Sequence, residues 1–226
     1  MRNTLRCAGL YFATAMAAVV HGGTITGTVT ARGAEEAGSA GGGNYASRRY
    51  KFAEKIDYDR LEDFVIYIDQ PMPAVAGAKE EPAKVVQKDA AFEPHVLPVA
   101  AGTTVRWPNE DDIFHNAFSM SDTKEFDLGL YKKEKEPALV FDKPGRVDVF
   151  CGIHSKMHCI VLVVPNRYFA IADARRRFTI RDVPAGTYKL RAWHERLPAR
   201  TVEVVVPETG EVTVDMVLGL GELPKY

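Results

Sequence analysis

Cysteine is scarce: three in 226 residues, at positions 7, 151 and 159. That number excludes a small disulfide-stapled fold, whose cohesion depends on several bridges. Neither sign of charge is in excess, with 29 Lys and Arg against 30 Asp and Glu. The basic field that phosphate binding requires is therefore missing, which argues against nucleic acid as a partner. Beyond the N-terminus no run reaches the roughly 20 apolar residues of a bilayer-spanning helix, so the mature chain is not expected to span a membrane. The sequence also lacks a Cys-x-x-Cys-His haem attachment, a phosphate-cradling glycine loop and a Gly-x-Ser-x-Gly nucleophile turn. Its carboxylates are many but scattered, and they suggest no catalytic pair.

The N-terminus is the exception to the missing apolar run. Arg2 and Arg6 precede an alanine-rich apolar stretch over 7–20, with small residues at Ala15, Ala17, Ala18 and Gly22. This is the pattern of a signal peptide over 1–22, and it implies a periplasmic or secreted protein. Cys7 precedes the apolar region, which does not suit a lipid-anchored cysteine. Export leaves Cys151 and Cys159 in the mature chain, and a disulfide between them is the plain alternative in an oxidising compartment.

What is present is mostly short strands with turn signals. Residues 24–30 alternate with a period of two, 64–68 are β-branched and aromatic, and 160–164 are continuously apolar. In 147–151 the alternation places Val147, Val149 and Cys151 on one face, the core face. Residues 96–107, broken by Gly102, read as a hairpin arm, and 201–206 is expected to pair with 212–218 across Glu208, Thr209 and Gly210. Residues 33–44 and 70–84 read as a loop and a linker, and the charged stretch 45–63 has room for a short helix. The expected class is all-β, of sandwich type.

One string carries chemistry. Phe150-Cys151-Gly152-Ile153-His154-Ser155-Lys156-Met157 is a Cys-x-x-His-x-x-Met motif between two strand-like runs, and His115-Asn116 follows Trp107-Pro108-Asn109 upstream. A thiolate, two imidazoles and a thioether are the donors of a blue-copper site. Cys151 ends a strand, Gly152 eases the reversal that returns His154 and Met157 to the same ion, and His115 arrives from a separate turn. Other readings stay open. His158 either faces solvent or replaces Met157, and Cys151, His154, His158 and Cys159 could compose a zinc site. Against zinc, neighbouring His158 and Cys159 point to opposite strand faces.

On these residues, 84–165 resembles a cupredoxin domain with the short ligand loop of amicyanin. The resemblance implies a Greek-key β-sandwich in which His115, Cys151, His154 and Met157 bind copper. Asn116, next to the first ligand, would tie the two ligand loops together. Ile153 and Ser155 stand where amicyanin-like loops carry prolines, and Cys159 replaces a glycine, placing a spare thiol close to the metal.

The flanks, 23–75 and 166–220, carry Gly27-Thr28-Val29, Val65-Ile66-Tyr67, Asp173 through Phe178 and Pro184-Ala185-Gly186-Thr187-Tyr188. They resemble a carboxypeptidase regulatory-like, transthyretin-type sandwich. Arg176 takes the place of an expected glycine, so that turn should differ. The implied architecture is a cupredoxin inserted in a surface loop of a second, smaller sandwich, which is tolerable where the loop ends lie close. Trp193-His194 reads as packing with a satisfied histidine, His95 as surface, and Arg175 to Arg177 as a solvated turn.

The function expected is an exported one-electron carrier, not an enzyme, whose redox partner the residues do not specify. The alternatives are a copper-delivery protein, and a metal-free module that binds carbohydrate or protein.

Overall fold

The computed structural model describes residues 22–33, 56–73 and 82–219. The segment read as a signal peptide, most of the loop over 33–44, the part of the charged stretch up to 55 and the middle of the linker lie outside the described residues. Among the described residues every regular element is a strand, and 56–64 form turns and extended chain rather than a helix.

The strands are β1 (Gly23–Ala31), β2 (Val65–Ile68), β3 (Ala83–Lys84), β4 (Val86–Lys88), β5 (Ala91–Glu93) and β6 (Val96–Ala100). Next come β7 (Thr103–Arg106), β8 (Phe118–Ser121), β9 (Lys124–Asp127), β10 (Ala138–Phe141), β11 (Gly145–Phe150) and β12 (His158–Val164). The chain closes with β13 (Phe169–Ile171), β14 (Arg177–Val183), β15 (Gly186–His194), β16 (Leu197–Val206), β17 (Glu211–Thr213) and β18 (Met216–Leu218). Among the described residues, strands β3 to β12 pair only among themselves, in the sheets β10-β7-β3 and β6-β12-β11-β8-β9 and the hairpin β4-β5. The remaining strands form β14-β1-β17, with β18 also on β1, and β13-β2-β15-β16.

Two strands explain the apolar runs. In β12, Cys159, Val161 and Val163 enter one core together with Trp107, Val147 and Val149. Its alternate residues Ile160, Leu162 and Val164 enter a different cluster with Val65 and Tyr67 of β2, and Trp193 of β15 packs against that cluster. The other face of β2, Ile66 and Ile68, belongs to the core of the outer strands. Each strand is thus buried on both sides, which period-two alternation forbids and a continuous apolar run provides. Burying a Val, Leu or Ile contributes about 1.5–3 kcal/mol, so the shared cluster holds the two sets of strands together.

Two expected hairpins are corrected. β6 pairs in parallel with β12, while β7 pairs with β10 and β3, so 96–107 passes from one sheet to the other at Gly102. β16 pairs with β15, whereas β17 and β18 run parallel to β1, so 201–218 also crosses between sheets. At Arg176 the backbone is left-handed, with φ of 61°. The conformation glycine favours is therefore kept without glycine, and the guanidinium donates to the Tyr58 carbonyl at 2.6 Å.

His194 lies 4% exposed against the ring of Phe64, with centroids 4.9 Å apart. Its Nδ1 accepts from the Arg196 N–H at 3.1 Å. Burial pushes its pKa down to about 4, outweighing the Glu195 charge. The folded pKa is thus below the ordinary value near 6.5. The stabilising effect of the neutral ring is complete above about pH 6.5 and is lost as the pH falls to about 4, amounting to about 2–3 kcal/mol. Urea unfolding at pH 7 and pH 4.5 should show that loss in the wild type and a flatter profile in His194→Gln. Superimposable profiles would contradict it.

Candidate metal centre

Three of the four expected donors, His115, Cys151 and His154, come together at one end of the inner sheets. β11 delivers Cys151 at the end of a strand whose inward residues Val147 and Val149 are fully buried. The loop that follows is closed by two backbone bonds, from Met157 N–H to the His154 carbonyl at 3.0 Å and from Cys151 N–H to the Met157 carbonyl at 3.3 Å. His115 is fixed from the opposite side, where its N–H and carbonyl bridge to Tyr131 at 3.1 and 2.9 Å.

One donor atom each from His115, Cys151 and His154 lies within 4.8 Å of the others. The two Nδ1 atoms are 3.0 Å apart, and Cys151 Sγ is 3.7 Å from His154 Nδ1. With metal–ligand bonds of about 2.0 Å to nitrogen and about 2.3 Å to sulfur, a trigonal plane separates sulfur from nitrogen by about 3.7 Å. An N–N distance of 3.0 Å closes the N–metal–N angle to roughly 100° at those bond lengths. These two separations are of the size that bonds to one ion give, and the third pair, His115 and Cys151, lies within 4.8 Å. His115 is completely buried, Cys151 is 6% exposed and Met157 1% exposed, while His154 is only partly buried. Met157 shares the core around Cys151.

Asp111 was missed. Its Oδ2 accepts from His115 Nε2 at 2.8 Å, which places the proton on Nε2 and turns the Nδ1 lone pair toward the other donors. Burial opposes the Asp111 charge, but bonds from the Ala90 N–H, from His115 and from the Asp89 N–H hold its pKa below the usual carboxylate value. Asn109 shapes the same loop, its Nδ2 donating to the carbonyls of Ile113 and Tyr131 at 3.0 Å and its Oδ1 accepting from the Asp111 N–H at 2.9 Å. A carboxylate four residues before a histidine is commonplace in a loop, and no sequence signal marks Asp111.

Asn116 Oδ1 accepts from the Gly152 N–H at 2.7 Å, joining the two ligand loops. Gly152 itself is outside the left-handed region, so the expected conformational role of that glycine is corrected: its contribution is the N–H. Asn116→Ala should leave this donor without its partner and cost about 1–3 kcal/mol, with a faster loss of bound metal. Thermal unfolding and metal-release rates check this, and wild-type behaviour in both would refute it.

The competing readings separate on geometry. Cys151 and Cys159 are free thiols, which removes the disulfide. Cys159 is fully buried in the core, where burial pushes its thiol pKa up and keeps it protonated, so it does not act as a spare thiolate. His158 donates from Nε2 to Asp148 at 2.9 Å and stacks on Phe150. The four residues of the zinc alternative are therefore divided between two places.

No protein-family model and no curated protein matches the chain. Solved structures do match parts of it. A copper-containing nitrite reductase from Thermus scotoductus is 28% identical over 43% of this chain and 26% of its own, with a TM-score of 0.37. The chain thus spans about a quarter of that enzyme's length. A purple cupredoxin from Nitrosopumilus maritimus is 24% identical over 36% of this chain and 98% of its own, at TM-score 0.33. A proline-to-glycine variant of amicyanin, in its reduced Cu(I) form, is 26% identical over 45% of this chain and 99% of its own, at TM-score 0.35. Likenesses with TM-scores of this size add no weight to the donor geometry, which stands by itself.

Proposed function

We propose that this chain is a type 1 copper protein that accepts and passes single electrons, with His115, Cys151, His154 and Met157 as the ligands. The observation that supports the reading is the convergence of His115, Cys151 and His154, with the two Nδ1 atoms 3.0 Å apart and the Cys151 sulfur 3.7 Å from His154 Nδ1. When bound, copper supplies a one-electron couple between its +1 and +2 states. The residues supply the rest. β11 and the bridge between His115 and Tyr131 hold the donors in one arrangement, Asp111 fixes the His115 tautomer, and Trp107, Val149 and Phe141 exclude water behind them.

Burial favours the carrier over copper delivery. Three of the four ligands are shut off from solvent, while His154 is reachable beside exposed Ile153 and Lys156. Exposed Ile113 and Phe114 precede the other histidine. A ring edge within an apolar surround is suited to brief docking of a redox protein. We take residues 84–165 as a cupredoxin-type unit inserted between 23–75 and 166–220. The outer part is read as a carboxypeptidase regulatory-like sandwich, and the N-terminal pattern as a signal for export.

The test is addition of Cu(II) to the metal-free protein. An intense visible thiolate charge-transfer band and reversible one-electron voltammetry are expected. Weak colour with fast copper exchange would establish delivery instead, and no copper uptake would leave a pair of β modules.

A further inference from the structure

A second cluster of donors lies where the inner strands meet the outer ones. One donor atom each of His95, His158 and Glu195 lies within 4.8 Å of the other two. His95 Nε2 is 3.1 Å from Glu195 Oε2, and the two imidazoles meet edge to face with centroids 5.5 Å apart. We propose that His95, His158 and Glu195 form a second metal site for a borderline divalent ion of the zinc type, binding across the junction of the two sets of strands.

The donors are built into regular structure. His95 immediately precedes β6 and His158 opens β12; these strands pair in parallel, and the Ile160 N–H donates to the His95 carbonyl at 2.8 Å. Glu195 sits in the turn between β15 and β16. Trp193, two residues earlier, packs on the cluster that β12 shares with β2. The site is therefore positioned by strand pairing and by a common apolar core, which holds donors more closely than free loops do.

The chemistry suits the ion. Two neutral imidazoles and one carboxylate form an open zinc set with a fourth position for water, and side-chain exposures of 41% for His95 and 24% for Glu195 leave access from solvent. Donors around tetrahedral zinc stand about 3.3 Å apart at bonds of about 2.05 Å, so the His95–Glu195 spacing of 3.1 Å already fits, and His158, within 4.8 Å of both, completes the trio with a shift of at most roughly 1.5 Å. Asp148 accepts from His158 Nε2 and is itself held at two points by Arg146, at 2.8 Å each. It therefore orients the His158 ring as an outer carboxylate does for metal-binding histidines. Arg146 also donates to the Glu195 carbonyl at 3.3 Å, fixing the turn that carries the third donor. Bound metal would join strands from both sides of the junction and raise the temperature at which they separate.

The test counts Zn2+ bound by the full chain in equilibrium dialysis, in the wild type and in Cys151→Ser, each with and without Glu195→Gln. Cys151→Ser leaves the donors of the trio intact and Glu195→Gln those of the copper centre, so failure here is distinct from failure of the copper reading. Glu195→Gln should remove one ion per chain in both backgrounds by weakening it about 100-fold or more, with His95→Gln behaving alike. Zinc-edge X-ray absorption of zinc-loaded Cys151→Ser should show a nitrogen and oxygen shell with imidazole scattering. Uptake indifferent to Glu195 and His95 in both backgrounds, or a shell without imidazole, would reduce the trio to ion pairs and overturn the proposal.

Discussion

Replacing Cys151 with serine should abolish the intense visible band of the copper-loaded protein and weaken copper by more than about 100-fold. The estimate follows from what that sulfur contributes. Removing a residue that merely orients a ligand costs about 10–100-fold in metal affinity, and Cys151 is the soft, anionic donor of the set. A serine hydroxyl does not ionise at neutral pH, so the site would keep two imidazoles and a weak thioether. The fold should tolerate the change, because Cys151 retains slight exposure and its backbone is tied to Met157 through main-chain atoms. Cys159→Ala is the matched control. Cys159 is fully buried and lies outside the donor cluster, so its loss should leave colour and copper stoichiometry unchanged. Absorption and paramagnetic resonance spectra after Cu(II) addition read both variants. A blue band that survived in Cys151→Ser, or vanished in Cys159→Ala, would contradict the ligand assignment.

The site was legible where its parts are contiguous. Cys151, His154 and Met157 lie within one turn, so their spacing alone limits where the donors can go, and the apolar run at 160–164 marks β12 as a strand with no wet face. What depends on tertiary neighbours was not legible. Asp111 meets His115 through a loop shaped by Asn109, and Glu195 meets His95 only because β15 packs against the inner sheets. The two hairpins misread from the sequence have the same cause. Gly102 and Gly210 both take positive φ of 93° and do reverse the chain. A reversal that stays in one sheet and one that crosses to the facing sheet use the same residues, however. The choice is made by the partners, β12 for β6 and β1 for β17, which are far away in sequence.

Asp111→Asn is expected to damage the centre almost as much as loss of a ligand, although Asp111 touches no metal. Its Oδ2 accepts from both the His115 Nε2–H and the Ala90 N–H, and its Oδ1 from the Asp89 N–H at 2.8 Å. An asparagine has one acceptor and one donor end. If its oxygen keeps the Asp89 bond, its amide faces His115 Nε2, and the ring must give up its proton there. The neutral imidazole then carries hydrogen on Nδ1, where the lone pair is needed, and the ligand is disabled in situ. If the amide turns over instead, the Asp89 N–H loses its acceptor and the loop that presents His115 loosens. Either course should weaken Cu(II) by about 10–100-fold, and removing the negative charge should raise the reduction potential by favouring the less charged Cu(I). Asp112→Asn is the neighbouring control: Asp112 pairs with Lys133 at the surface and should change neither quantity. Copper titration with voltammetry separates these outcomes, and a variant with wild-type affinity and potential would mean that Asp111 does no more than cap its loop.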